Sequence, residues 1–199
     1  MTAALPLLRL AREDDADGVL AIYAPVVRDT VISFETVPPT AAEMRERIRT
    51  TLETKPWLVA EADAGLAGYA YASTFRARPA YQWTAEVTVY LHPDWQGRGL
   101  GSALYRALLA VLRAAGYRSA VGGITLPNPP SVSLHERLGF RPVGVFAAAG
   151  FKFGEWHDVG FWQLELGPDT APSGPPRTLS SLVGTPEWDK ALNEPAKSP

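Results

Sequence analysis

Apolar residues recur along the chain at two spacings, and the switches between them predict the elements. Leu7 to Arg12 reads as a strand. Asp14 or Asp15 then caps a helix in which Val19, Leu20, Ile22 and Tyr23 recur at helical intervals. Thr40 with Glu43 three places on forms a capping box, opening a second helix that runs to about Lys55, before Pro56. Trp57 to Ala62, Leu66 to Phe75 and Trp83 to His92 read as strands, the first two joined by a turn at Asp63-Ala64-Gly65. Gly99 to Ala114 places Leu100, Leu104, Leu108, Val111 and Leu112 on one helical face, and Gly116 suits the end of that helix. A strand at Ser119 to Thr125 follows, then a short helix from Ser131 to Gly139. Strands near Arg141 to Ala149 and His157 to Leu166 close the pattern. This β-α-α-β-β-β-α-β-α-β-β order predicts an α/β domain on one central mixed sheet, spanning residues 1–167.

The pattern lapses at Pro168. From there to Pro199 the chain holds seven prolines and few large apolar residues, which predicts a mostly flexible tail. Within it, Pro186 to Asn193 is long enough for a short helix docked on the domain. Composition adds exclusions. With 46% apolar and 20% charged residues and a net charge of −2, nothing points to nucleic acid. No apolar run reaches the ~20 residues that span a bilayer. Met1 to Leu10 lacks the parts of a signal peptide, so the expected location is the cytoplasm. Cysteine is absent, which removes thiolate chemistry and disulfides.

Chemistry concentrates after the fourth strand, in His92-Pro93-Asp94-Trp95-Gln96-Gly97-Arg98-Gly99-Leu100-Gly101-Ser102. Glycines let backbone N–H groups approach an anion closely, the helix N-terminus favours negative charge, and Arg98 adds a cation. A diphosphate is the natural guest. No Lys follows Gly101, as a P-loop requires, and Ser102 stands where a dinucleotide fingerprint needs glycine. Within the strand before this loop, Glu86 interrupts an apolar run and shares a face with Thr84, Thr88 and Tyr90. A carboxylate there either works in a site or pairs with Arg76 or Arg78.

The spacing Gln96-x-x-Gly99-x-Gly101 resembles the coenzyme A pyrophosphate motif of the GNAT acetyltransferase superfamily. A finer similarity, to phosphinothricin and methionine sulfoximine or sulfone acetyltransferases, rests on several segments. These are Val31 to Thr36, Phe75 to Tyr81, Thr84 to Tyr90, Leu126 to Val132, Ala148 to Lys152 and Trp156 to Gln163. The resemblance implies a GNAT fold, a twisted mixed sheet flanked by helices. It also implies direct acetyl transfer from acetyl-CoA to the α-amino group of a small anionic amino-acid analogue, and a homodimer. Carried over by position, it makes Glu86 the general base. His135, where many relatives have tyrosine, becomes a proton donor to the leaving thiolate, an aid in deprotonating the amine, or a plain surface or capping residue.

The coenzyme would be held by Val89, Tyr90, Leu91, Gln96, Gly97, Arg98, Gly99, Leu100, Gly101, Ser102 and Asn128, of which Asn128 also reads as a turn residue. Arg76, Arg78 and Tyr81 would bind the substrate's anionic end, unless the arginines only decorate a solvated loop. Phe34 would wall the pocket or lie in the core. His157 and Asp158 offer too few ligands for a metal, so none is expected, and Trp156 to Trp162 suits a structural or interface role. Two other readings stay open: a different amine acceptor (polyamine, aminoglycoside or peptide N-terminus) and a non-catalytic acyl-CoA-binding module.

Overall fold

A computed structural model describes residues 6–193. Seven strands form one sheet in the order β1-β2-β3-β4-β5-β7-β6. They are β1 (Leu7–Leu10), β2 (Trp57–Ala62), β3 (Gly65–Thr74), β4 (Thr84–Leu91), β5 (Ser119–Leu126), β6 (Arg141–Lys152) and β7 (Glu155–Glu165). Neighbours run antiparallel except β4 and β5, which are parallel. The helices are α1 (Ala16–Asp29), α2 (Ala41–Leu52), α3 (Leu100–Ala115), α4 (Pro129–Arg137), α5 (Leu179–Leu182) and α6 (Pro186–Asn193). The order of strands and major helices is the one read from the periodicity.

Each face of the sheet has its own core. Val19, Ile22, Tyr23 and Val27 of α1, with Met44 and Ile48 of α2, bury Trp57, Val59 and Tyr69 on one side. On the other, α3 turns Leu100, Leu104, Leu108 and Leu112 onto Leu58, Ala70, Ala85 and Val87. The Thr40–Glu43 capping box forms as expected, the Glu43 amide donating to Thr40 Oγ1 at 3.2 Å and the Thr40 amide to Glu43 Oε2 at 2.7 Å.

Several boundaries move. β1 stops at Leu10 rather than Arg12, because the Arg12 amide donates to the Asp15 carboxylate at 2.7 Å and turns the chain into α1. α4 begins at Pro129 rather than Ser131: Asn128 caps it, and two prolines fill its first positions, where no N–H is needed. The tail departs most from expectation. Leu179, Leu182, Trp188 and Ala191 are buried and join the α3 core, while Trp83 Nε1 donates to the Gly174 carbonyl at 3.0 Å. Burying a large apolar side chain is worth about 1.5–3 kcal/mol, which offsets the ordering entropy that composition alone suggested would win. Among the described residues no helix is long and apolar enough to cross a membrane.

Candidate active site

The sheet is incomplete at its middle. β4 and β5 pair only over Thr84–Ser119, Ala85–Ala120 and Glu86–Val121, and then part. Their outer neighbours stay paired much further, β3 with β4 as far as Leu91 and β5 with β7 as far as Leu126. The His92 amide donates to the Ala67 carbonyl on the β3 side, so by alternation Val87, Val89 and Leu91 direct their backbone groups to the open side. Of the expected coenzyme residues, Val89 and Leu91 therefore line the gap as backbone, whereas Tyr90 turns its backbone groups to β3. Tyr90's ring packs on Tyr23 at 5.2 Å and Tyr69 at 5.5 Å, and Leu91's side chain lies over Gly68.

The glycine loop closes one end of this gap. Gln96, Gly97, Arg98 and Gly99 are exposed, whereas Leu100 and Gly101 are buried. Gly97 and Gly99 take φ of +71° and +83°, a left-handed conformation that side chains resist. Gly99 caps α3 without a side-chain acceptor, and the first turn, which includes Ser102, holds no acidic residue. Its leading N–H groups thus lack both intrahelical and capping partners, the arrangement that receives an anion. Arg98 lies 5.5 Å over the Trp95 ring beside them. Asn128 accepts the Ser131 amide on its Oδ1 at 3.2 Å and so caps α4.

Glu86 sits at the point of divergence, partly buried, and burial pushes its carboxyl above the usual carboxylate range. Among the described residues no arginine pairs with it, so the alternative of an ion pair with Arg76 or Arg78 fails. Its carboxylate and the Phe161 ring both lie against the bare face of Gly123. Phe161 leads into a cleft of about 330 Å³ lined also by Phe75, Arg76, Val121 and Phe146.

His135 lies elsewhere. Its ring occupies the space over Gly122, the residue before Gly123, and successive strand residues face opposite sides, so Glu86 and His135 lie on opposite faces of the sheet. The imidazole is 3% exposed. Nδ1 is 2.8 Å from the Ser131 carbonyl, which can only accept, so Nδ1 carries the hydrogen. Nε2 is 3.2 Å from the Tyr105 hydroxyl, which also reaches the Val87 carbonyl at 3.2 Å. Burial lowers the histidine pKa and favours the neutral ring. Both nitrogens are engaged, so neither a surface role nor direct proton exchange with a substrate beside Glu86 fits.

The expected substrate residues separate. Arg76 borders the cleft near Glu86, its guanidinium 5.2 Å over Phe75 and 5.9 Å over Tyr81. Arg78 and Tyr81 line instead a neighbouring groove of about 300 Å³, against Lys55 and Arg177, which Arg76 also touches. The two arginines thus make no single fork. Phe34 is 37% exposed, outside the core, seated on Gly150 and 6.2 Å from the His157 ring. Sequence reasoning passed over Tyr105, Gly122, Phe146 and Phe161. Only the unusual Gly122-Gly123 pair inside a strand signalled close approach there. Among the described residues no three His, Asp or Glu side chains gather as a metal site.

A parted parallel strand pair, an uncapped helix end beside it and an unpaired carboxylate in the gap define an enzyme of the acyl-transfer class. The chain belongs to the GNAT acetyltransferase family, whose acetyltransferase (GNAT) domain profile matches residues 8–160. It is 43% identical over 177 residues to phosphinothricin N-acetyltransferase of Streptomyces viridochromogenes, covering 88% of this chain and 95% of that one. It is 37% identical over 163 residues to the L-methionine sulfoximine/L-methionine sulfone acetyltransferase of Pseudomonas aeruginosa, covering 81% and 95%. In structure it is similar to the phosphinothricin acetyltransferase of Sinorhizobium meliloti in complex with AcCoA, with a TM-score of 0.81 and 39% identity over 88% of this chain and 96% of that one.

Proposed function

We propose that the protein transfers the acetyl group of acetyl-CoA to the α-amino group of a small anionic amino-acid analogue of the phosphinothricin or methionine sulfoximine type. One observation carries the reading: Glu86, unpaired and partly desolvated where β4 and β5 part, lies against the same bare face of Gly123 as the Phe161 ring, which lines an apolar cleft. Acetyl-CoA supplies an activated thioester. The N-terminus of α3 and Arg98 fit its diphosphate, and the open edge at Val89 and Leu91 offers backbone partners to its pantetheine arm. The acceptor occupies the cleft with Arg76 toward its anionic end.

Glu86 takes a proton from the ammonium, directly or through water, and the freed amine attacks the acetyl carbon. The new C–N bond forms as the C–S bond breaks, the coenzyme leaves as thiolate, and the second proton that the nitrogen sheds passes to that thiolate, directly or through water. His135 acts at one remove, keeping Tyr105 on the Val87 carbonyl at the point of divergence. The relatives named above support the acceptor class, and 37–43% identity makes this reading stronger than one from fold alone.

The test is thiol release from acetyl-CoA with phosphinothricin, methionine sulfoximine, methionine sulfone, spermidine, an aminoglycoside and a short peptide. Release with the first three is expected. Release only with spermidine, the aminoglycoside or the peptide would retire the anionic acceptor. Coenzyme binding without release to any amine would favour a binding module.

A further inference from the structure

β4 and β5 are joined by a two-residue repeat of amide bonds that stops short. The Ser119 amide donates to the Trp83 carbonyl, on the β4 side, at 3.2 Å. By the repeat of a parallel pair, the Val121 amide serves the Ala85 carbonyl and the Gly123 amide would serve Val87. The pairing ends at Glu86–Val121, so this last bond does not form. The Tyr105 hydroxyl, reaching from α3, donates to the Val87 carbonyl instead, at 3.2 Å. Tyr105 is 1% exposed, and His135 Nε2 lies 3.2 Å from the same hydroxyl. The imidazole fills the space over Gly122, where any side chain would collide with Nε2. The two side chains thus meet both strands one residue past the last pair, at Val87 of β4 and Gly122 of β5. A leucine would pack this face of α3 equally well. What the tyrosine adds is a donor for one buried carbonyl.

That donor leaves the Gly123 amide over. No acceptor reaches it among the described residues. Gly123 is exposed, while Gly122 before it and Ile124 after it are buried. Glu86 Oε1 comes within 3.6 Å of the point where a Gly123 side chain would begin. A carboxylate and an open N–H therefore adjoin at the inner end of the gap. An N–H fixed in a partly dry site is a strong partner for an oxygen that gains charge during a reaction.

We infer that Tyr105 is a positioning residue that frees the Gly123 amide, and that this amide receives the acetyl oxygen of the coenzyme during transfer. This rests on the functional reading above, with the thioester in the gap beside Glu86. As the lone pair of the amine forms the C–N bond, the C=O pair shifts toward oxygen, where the Gly123 N–H stabilises it. That pair returns to the carbonyl as the C–S pair leaves with sulfur. Glu86 and the thiolate take the two protons, so the amide keeps its own. Tyr105 touches neither substrate.

The experiment compares wild type with Tyr105→Phe, using full-length protein, acetyl-CoA and phosphinothricin. Without the hydroxyl, the Val87 carbonyl falls to the Gly123 amide, and the open donor is lost. kcat should drop about a hundredfold, the loss typical of one such donor, with both KM values near wild type. An unchanged kcat, or a loss confined to either KM, would overturn the assignment. Infrared difference spectra of bound acetyl-CoA, isotope-labelled at the acetyl carbonyl, need no turnover. The carbonyl stretch should lie lower in wild type than in Tyr105→Phe, and equal stretches overturn it. Hydrogen exchange on wild type alone decides the matter if the variant does not fold. Without coenzyme, the Gly123 amide should exchange at least about tenfold faster than the Val121 amide. Acetyl-CoA should then protect it, whereas phospho-ADP, the half of the coenzyme without the thioester arm, should not. Equal rates for the two amides, or the same protection by both ligands, also overturns it. If wild type acetylated none of the amines, the functional reading would fall alone, and exchange and the infrared shift would still decide the role of the amide.

Discussion

At the scale of single residues, Glu86 shows how a side chain out of character with its strand marks a site. Its raised pKa comes from burial alone, with no counter-ion to reverse it. As the base it must be ionised, so the acid limb of kcat/KM should fall above the ordinary carboxylate range. Glu86→Gln should abolish that limb and lower kcat about 10²-fold with coenzyme binding intact; an unchanged kcat across pH would remove Glu86 from the mechanism. The sign for stability is opposite. A carboxyl whose pKa is higher folded than unfolded favours the fold below the unfolded pKa, and that favour is lost as pH rises through the folded value. Glu86→Gln should therefore melt higher than wild type at neutral pH and equally in strong acid.

Glu86 and the glycine loop were legible because each breaks a local pattern. Tyr105 was not: it satisfies the apolar face of α3 as a leucine would. The Arg76–Arg78 pairing misled for a related reason. Two-residue spacing implies a shared face only in a strand, and β3 ends at Thr74.

At the scale of elements, periodicity located every strand and each of the four longer helices. It failed for α5, and for α6 it allowed docking while composition argued mobility. Proline content averaged over the whole tail concealed Leu179, Leu182, Trp188 and Ala191, which close on α3 one short turn at a time. Composition measures whether a segment folds alone, whereas these helices borrow a core already built. Trp188 is 7% exposed, and Trp188→Ala should lower unfolding stability by about 3 kcal/mol, read as a shift in the urea midpoint. Coincident midpoints would show that α6 contributes nothing to the fold.

At the scale of the molecule, apolar surface is distributed unevenly. Val143, Val145, Phe146, Phe151, Phe153 and Trp156 are each more than half exposed, all on β6, β7 and their turn. β6 is also an edge strand with one side unpaired. This is the surface that the homodimer implied by the family resemblance would cover. Sedimentation equilibrium should return twice the chain mass, and Val143→Lys with Trp156→Lys should return one. A monomeric wild type at micromolar concentration would rule the pairing out.

The three rungs that join β4 to β5 make the sheet two slabs riveted near one end. A long, narrow guest laid into the slit bridges the slabs where the lattice of amide bonds gives out. Such a guest is cargo and crossbeam at once: the length of backbone it satisfies is length the protein leaves to be finished in every round of turnover.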